Sequence, residues 1–212
     1  MEKVLSLIGP GDIGFHYYEI LGLKPEKFQS ELENIAKAIA ESGWTIELLP
    51  DQGISLEIAK LYKQFGGKRV IGTAPISDKR YGIKHIQEYF NEKIQGKKLF
   101  DEIIDTEDWR DQNRLKALRG NAVLYLGISP GTEIEFNYGI YLYRLMKGFK
   151  KGVKAQAIQN IRAKDNFTCF VYSPFFSAKK LDNETEIYME KYKINLKYVK
   201  NPRELKNQLI KF

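Results

Sequence analysis

Short apolar runs alternate along this chain with longer segments of helical periodicity. Lys3–Ile8 reads as a buried strand that ends at Gly9. A loop of glycines and prolines follows, and no clean helix starts at Gly14, because Gly22 and Pro25 interrupt the residues after it. From about Glu26 to Glu41, the positions Phe28, Leu32, Ile35, Ala36, Ile39 and Ala40 form the apolar stripe of a helix. Ser42-Gly43 stops it, and Trp44–Leu49 reads as a second strand. Gly53 opens a helix with Ile54, Ile58, Leu61, Tyr62 and Phe65 on one face, and Gly66-Gly67 closes it. Arg69-Val70-Ile71 begins a third strand.

The stretch Ala74–Lys98 is polar and nearly without period, and it reads as an insertion or lid. Leu99–Ile104 is a fourth strand, followed by a helix across Glu107–Arg119. Ala122–Leu126 is apolar on both faces, as a central parallel strand is. After the loop Gly127–Thr132 comes a helix with Ile134, Tyr138, Tyr141, Leu142 and Leu145 on one face, and its tyrosines suit a core or dimer face. Phe167–Tyr172 and Ile194–Val199 read as strands around a helix at Glu184–Lys191, and Pro202 begins a closing helix. Strand and helix in strict alternation predict a single α/β domain over 1–212. It is Rossmann-like, with a mostly parallel sheet and helices on both faces. Ligands of such sheets sit at the carboxyl ends of the strands, so the loops after the strands are where chemistry is expected.

With 212 residues, 43% of them hydrophobic, the chain is long enough to bury a core without metal or disulfide staples. Cys169 is the one cysteine and lies in an apolar run, which fits a buried structural thiol. With only His16 and His85 beside it, too few ligands exist for a zinc site, and no metal or cofactor is called for. His16 suits a partly buried loop position and His85 a solvent-facing one. No apolar stretch is long enough for a signal peptide or a membrane span, so the expected location is the cytoplasm. The net charge is +7, yet residues 1–146 balance to −2 and residues 147–212 to +9. The excess, including Lys147, Lys150, Lys151 and Lys154, lies in the basic C-terminal part of the same domain. No aromatic platform alternates with these lysines, so a solvated face is the plainer reading and a nucleic-acid partner the lesser one.

Three loops are candidates for a ligand site. Gly9-Pro10-Gly11-Asp12-Ile13-Gly14 fits G-x-G-x-x-G, which permits close approach of backbone N–H groups to a phosphate. The acid that should hold a ribose falls too late, at Glu47 or Asp51 rather than about twenty residues on, which argues against a dinucleotide site. Leu48–Ile54 places Gly53 at a helix N-terminus, either to admit a ligand or simply to make the turn. In the third, Gly127–Glu135, Ser129, Gly131 and Thr132 offer donors to a phosphate, and Glu135 stands one turn into the helix. Thr132-x-x-Glu135 also reads as a capping box, which leaves the glutamate's role open between cap and chemistry.

The sequence Gly131-Thr132-Glu133-Ile134-Glu135 after a central strand resembles the glycine-rich motif of the SLOG superfamily, which includes the LOG proteins and the DprA-like proteins. Gln112-Asn113-Arg114 leading into Asn121-Ala122-Val123, and the closing Asn201–Leu205, are similar to further pieces of that pattern. The resemblance implies a usually dimeric Rossmann-like protein that binds a nucleotide or phosphoribosyl compound; the loops then offer Gly9, Gly11, Gly53, Ser129, Gly131 and Thr132, and the helix segment Asn113, as binding residues. In LOG enzymes the motif glutamate and a helix arginine serve N-glycosidic hydrolysis of a nucleoside monophosphate. Carried over, these roles fall on Glu135 and, nearest the arginine position, Arg114. Gln112 occupies that position itself, which favours binding over hydrolysis.

Overall fold

The computed structural model describes residues 2–148, 161–163 and 166–212. The apolar runs become the strands of one seven-stranded sheet, in the order β6-β3-β2-β1-β7-β8-β9. These are β1 (Val4–Ile8), β2 (Thr45–Leu48), β3 (Val70–Ala74), β6 (Glu102–Asp105), β7 (Ala122–Tyr125), β8 (Thr168–Tyr172) and β9 (Asn195–Val199). Every pairing is parallel, with Leu5 opposite Ile46 on one side and opposite Ala122 on the other. Strands β1, β2, β3, β7 and β8 are buried along their whole length, whereas the edges β6 and β9 are partly exposed. Both edges carry charge, with Glu102 and Lys197, and charge suits a strand with one unpaired side.

The helices are α1 (Pro25–Ser42), α2 (Ile54–Gln64), α3 (Trp109–Arg119), α4 (Pro130–Gly148), α5 (Asn183–Lys191) and α6 (Pro202–Lys211). Helix α1 starts with Pro25 at its first position and ends at Gly43, whose φ of 74° is the left-handed conformation that closes a helix without strain for glycine. It packs against α2 and α6 on one face of the sheet, while α3 and α4 pack together on the other. Asn201 caps α6 by accepting from the Glu204 N–H, and Leu205 and Leu209 are its buried anchors.

Two local expectations are corrected. Residues Gly14–Ile20 form a wide helical turn, in which the Leu21 N–H reaches back to the His16 carbonyl. In α4 the buried side chains are Phe136, Ile140, Tyr143 and Met146, whereas Ile134, Tyr138 and Tyr141 are 47%, 43% and 50% exposed. The helix is apolar on most of its circumference, so periodicity alone gives two candidate stripes, and the sheet takes the other one.

Residues 75–98 add no strand to the main sheet. They form a helical turn at Gln87–Asn91 and a two-residue hairpin, β4 (Lys93–Ile94) with β5 (Lys97–Lys98). Their inner side is tied down by the fully buried Ile86, by the Trp109 indole N–H donating to the Gly82 carbonyl at 2.9 Å, and by the Lys60–Glu92 pair. Of the lysines in the basic stretch, Lys150, Lys151 and Lys154 lie outside the described residues. Among the described residues no helix is long and apolar enough to cross a membrane.

Candidate functional site

From β1 the chain first moves one way across the sheet, through β2, β3 and β6, and then returns to the other side of β1 with β7, β8 and β9. The reversal lies between β1 and β7, and at such a point the loops leaving two adjacent strands part and open a crevice. A crevice of about 140 Å³ is found there. Gly9 and Gly11 line it from the first loop, and Asp51, Gln52 and Ser55 from the second loop and α2. Ser129, Gly131, Thr132 and Glu135 line it from the start of α4, and Lys116 from α3.

The start of α4 is a closed cap. The Ser129 N–H donates to Thr132 Oγ1 at 2.7 Å, the Thr132 N–H donates back to Ser129 Oγ at 3.3 Å, and Thr132 Oγ1 donates to the Gly127 carbonyl at 3.0 Å. Pro130 follows at the first helical position, where no N–H is needed. The capping pair is therefore Ser129 with Thr132, which corrects the Thr132–Glu135 box and frees Glu135 from that task. Between the capping residues stands Gly131, and a side-chain carbon built on it meets nothing within 4 Å. The first turn of α4, with its positive dipole end, faces open space across the crevice.

The inner wall holds an ion pair that the sequence reading missed. Glu47 of β2 and Lys116 of α3 are 2% and 1% exposed, with Nζ 3.0 Å from Oε1. Ser6 Oγ donates to the second carboxylate oxygen at 2.7 Å, and the Thr73 hydroxyl donates to the first. Gln112, also buried, reaches Thr73 Oγ1 at 3.4 Å through its amide nitrogen. A lone acid inside the apolar run Trp44–Leu49 was the available signal, since a buried carboxylate requires a cation or several donors.

Glu135 is half-buried, and desolvation pushes its carboxyl up to about 7, against the pull of Lys116 and with the push of Glu47 and Asp51. Asp51 is raised as well, by burial first, with a backbone bond from Gln52 and the nearby His85 working the other way. The unfolded chain ionises Glu135 near 4.5 and the folded chain only near 7, so stability is lost as pH rises through that window. Glu135→Gln is therefore expected to stabilise the protein at pH 8 by roughly 1–2 kcal/mol, the full shift being discounted for residual solvent. The gain should vanish at pH 4 in urea titrations.

Other predicted site residues have different placements. Gly53 shapes the crevice from behind: its φ is 113°, and a side-chain carbon there would lie 2.5 Å from both Gly11 Cα and the Pro10 carbonyl oxygen. Gly53→Ala is expected to cost at least about 2 kcal/mol in thermal or urea unfolding, since strain and backbone overlap add. Arg114 is paired with Asp111 at 2.6 Å and does not line the crevice, while Asn113 lines a separate groove beside it. His16 is 7% exposed beneath Gly127, 3.4 Å from the Phe175 carbonyl, and burial lowers its pKa, which marks it as a packing residue. His85 is exposed and stacks on Trp109. Cys169 is buried, and burial raises its thiol pKa far above neutrality. Among the described residues no group of three or more His, Cys, Asp and Glu is placed to hold a metal ion.

No protein-family model matches the chain, and no curated protein matches it by sequence. Solved structures do match. The molybdenum cofactor carrier protein from Chlamydomonas reinhardtii aligns with a TM-score of 0.57 and 16% identity over 100% of both chains. The molybdenum cofactor binding protein from Rippkaea orientalis aligns at 0.56 and 15% identity, over 100% of this chain and 96% of that one. The structural-genomics target TM1055 aligns at 0.60 and 13% identity over 100% of both chains. The chain thus shares its Rossmann-like fold end to end with these solved structures.

Proposed function

We propose that the protein binds a nucleotide or related phosphoribosyl compound, with the phosphate at the first turn of α4 and the sugar beside Glu135. The observation that carries this reading is the unfilled space over Gly131, where a capped helix start faces the crevice at the switch point. Around neutral pH the Glu135 carboxyl is partly protonated, so it opposes an incoming anion less than an ordinary carboxylate and can donate a hydrogen bond to it. The likeness to molybdenum cofactor carriers supports small-molecule binding over turnover and makes that cofactor a ligand to test alongside nucleotides. The same reading includes a cytoplasmic homodimer.

A second reading, hydrolysis of the N-glycosidic bond, draws on the Glu135 pKa near 7, which suits a general acid or base. The pairing of Arg114 with Asp111, away from the crevice, weighs against it. Equilibrium dialysis with AMP, followed by chromatography for free adenine, separates the two. Retention of AMP without adenine supports binding alone, adenine release supports hydrolysis, and neither result with any nucleoside monophosphate defeats both readings.

A further inference from the structure

Beside the crevice, on the other flank of the first two turns of α4, lies a wider groove of about 640 Å³. One wall is the segment Ser77–Tyr81 of the insertion; the other is built from the start of α3 and from Ile134 and Tyr138 of α4. Two of its aromatic rings reach solvent: Tyr81 is 72% exposed, the highest value among the exposed large hydrophobic residues, and Tyr138 is 43% exposed. A third, Trp109, is half-buried and held by its bond to the Gly82 carbonyl.

The groove is polar in a particular way. Asp78 accepts from the backbone N–H groups of Arg80, Tyr81 and Trp109, and Asp108 accepts from that of Asp111, so two of the three acids lining the groove hold its walls, and the third, Glu107, is exposed. Lys79, Arg80 and Arg110 also line the groove, and among the described residues none of them is in an ion pair within 4 Å. The Arg80 guanidinium lies over the Tyr81 ring, 5.5 Å from its centre. The Asn113 side chain, with an amide donor and an acceptor, completes the lining. Exposed rings, a cation over one of them and one amide are the chemistry that receives a planar, electron-rich heterocycle.

We propose that this groove receives the base of the nucleotide whose phosphate sits at the start of α4, with Tyr81 and Tyr138 as stacking surfaces and Asn113 reading the base edge. The inference rests on the crevice reading given above. The two sites share one helix: Thr132 and Glu135 face the crevice, and Ile134 and Tyr138 face the groove. His85 links them on the insertion side, stacked on Trp109 and close enough to Asp51 to influence its ionisation.

AMP and ribose 5-phosphate are the probes, read by calorimetry and by tryptophan fluorescence. Trp44 is 1% exposed and donates to the Leu209 carbonyl beside α6, so a fluorescence change on AMP addition reports Trp109. The parent protein is expected to bind AMP at least about tenfold more tightly than ribose 5-phosphate, with a change in fluorescence only for AMP. Tyr138→Ala and Tyr81→Ala should each weaken AMP about tenfold and leave ribose 5-phosphate within about twofold. Equal affinity of the parent for both probes would overturn the groove assignment while leaving the crevice reading intact. Tyrosine variants that weaken both probes alike would do the same, and a parent that binds neither overturns both.

Discussion

Replacing Lys116 with methionine should lower the free energy of unfolding by about 3–5 kcal/mol, the range for breaking a buried ion pair from one side. Methionine matches the length of the lysine stem, so packing between α3 and the sheet is largely kept. What is lost is the cation in contact with Glu47, a carboxylate 2% exposed in the interior of β2. Ser6 and Thr73 still donate to it, but two neutral hydroxyls do not offset the desolvation of a full charge. Urea denaturation should show a lower midpoint with little change in slope. The double variant Lys116→Met, Glu47→Leu should recover most of the loss, because apolar groups replace both charges. If Lys116→Met alone cost less than about 1 kcal/mol, the pair would not be the buried strut described here.

Gly131→Asp is expected to abolish binding of AMP and of ribose 5-phosphate while leaving the fold intact. The new side chain has room at its root, since nothing lies within 4 Å of the Cβ it would add, and the α4 start tolerates an acid in its first turn. Its carboxylate would occupy the space assigned to the phosphate and repel the anion. Gly131→Ala, adding a methyl without charge, should weaken binding far less. Thermal melts within about 2 °C of the parent for both variants would show that the loss is local. An Asp variant that binds AMP as the parent does would move the phosphate elsewhere.

The centre of the sheet was legible because strands such as β7 are apolar on both faces, a pattern that a strand covered by helices on both sides requires. The caps were legible where chemistry is local: Gly43 and Pro202 each act where their backbone preferences place them, whereas Pro25, read as an interruption, is the first residue of α1. The orientation of α4 was not, since Ile134–Tyr138–Tyr141 and Phe136–Ile140–Tyr143 are stripes of similar apolarity, and the choice between them is made by the sheet and α3. The crevice itself depends on strand order. Loops after β1, β2 and β7 converge only because the chain reverses direction between β1 and β7, which local pattern does not encode. Glycines illustrate the same limit: Gly53 and Gly131 look alike in sequence, yet one is required by backbone contact and the other borders open space. Glu47 was visible as an acid in an apolar strand, but its partner Lys116 lies 69 residues away on another element.

The central claim is that a phosphorylated ligand sits at the start of α4, and backbone amide NMR tests it most directly. On titration with AMP, the amide signals of Gly9, Gly11, Gly131 and Thr132 should shift together along one saturation curve, and those of β9 and α6 should stay in place. Saturable shifts confined to residues away from the crevice, or no shifts with AMP, ribose 5-phosphate or molybdenum cofactor, would contradict it.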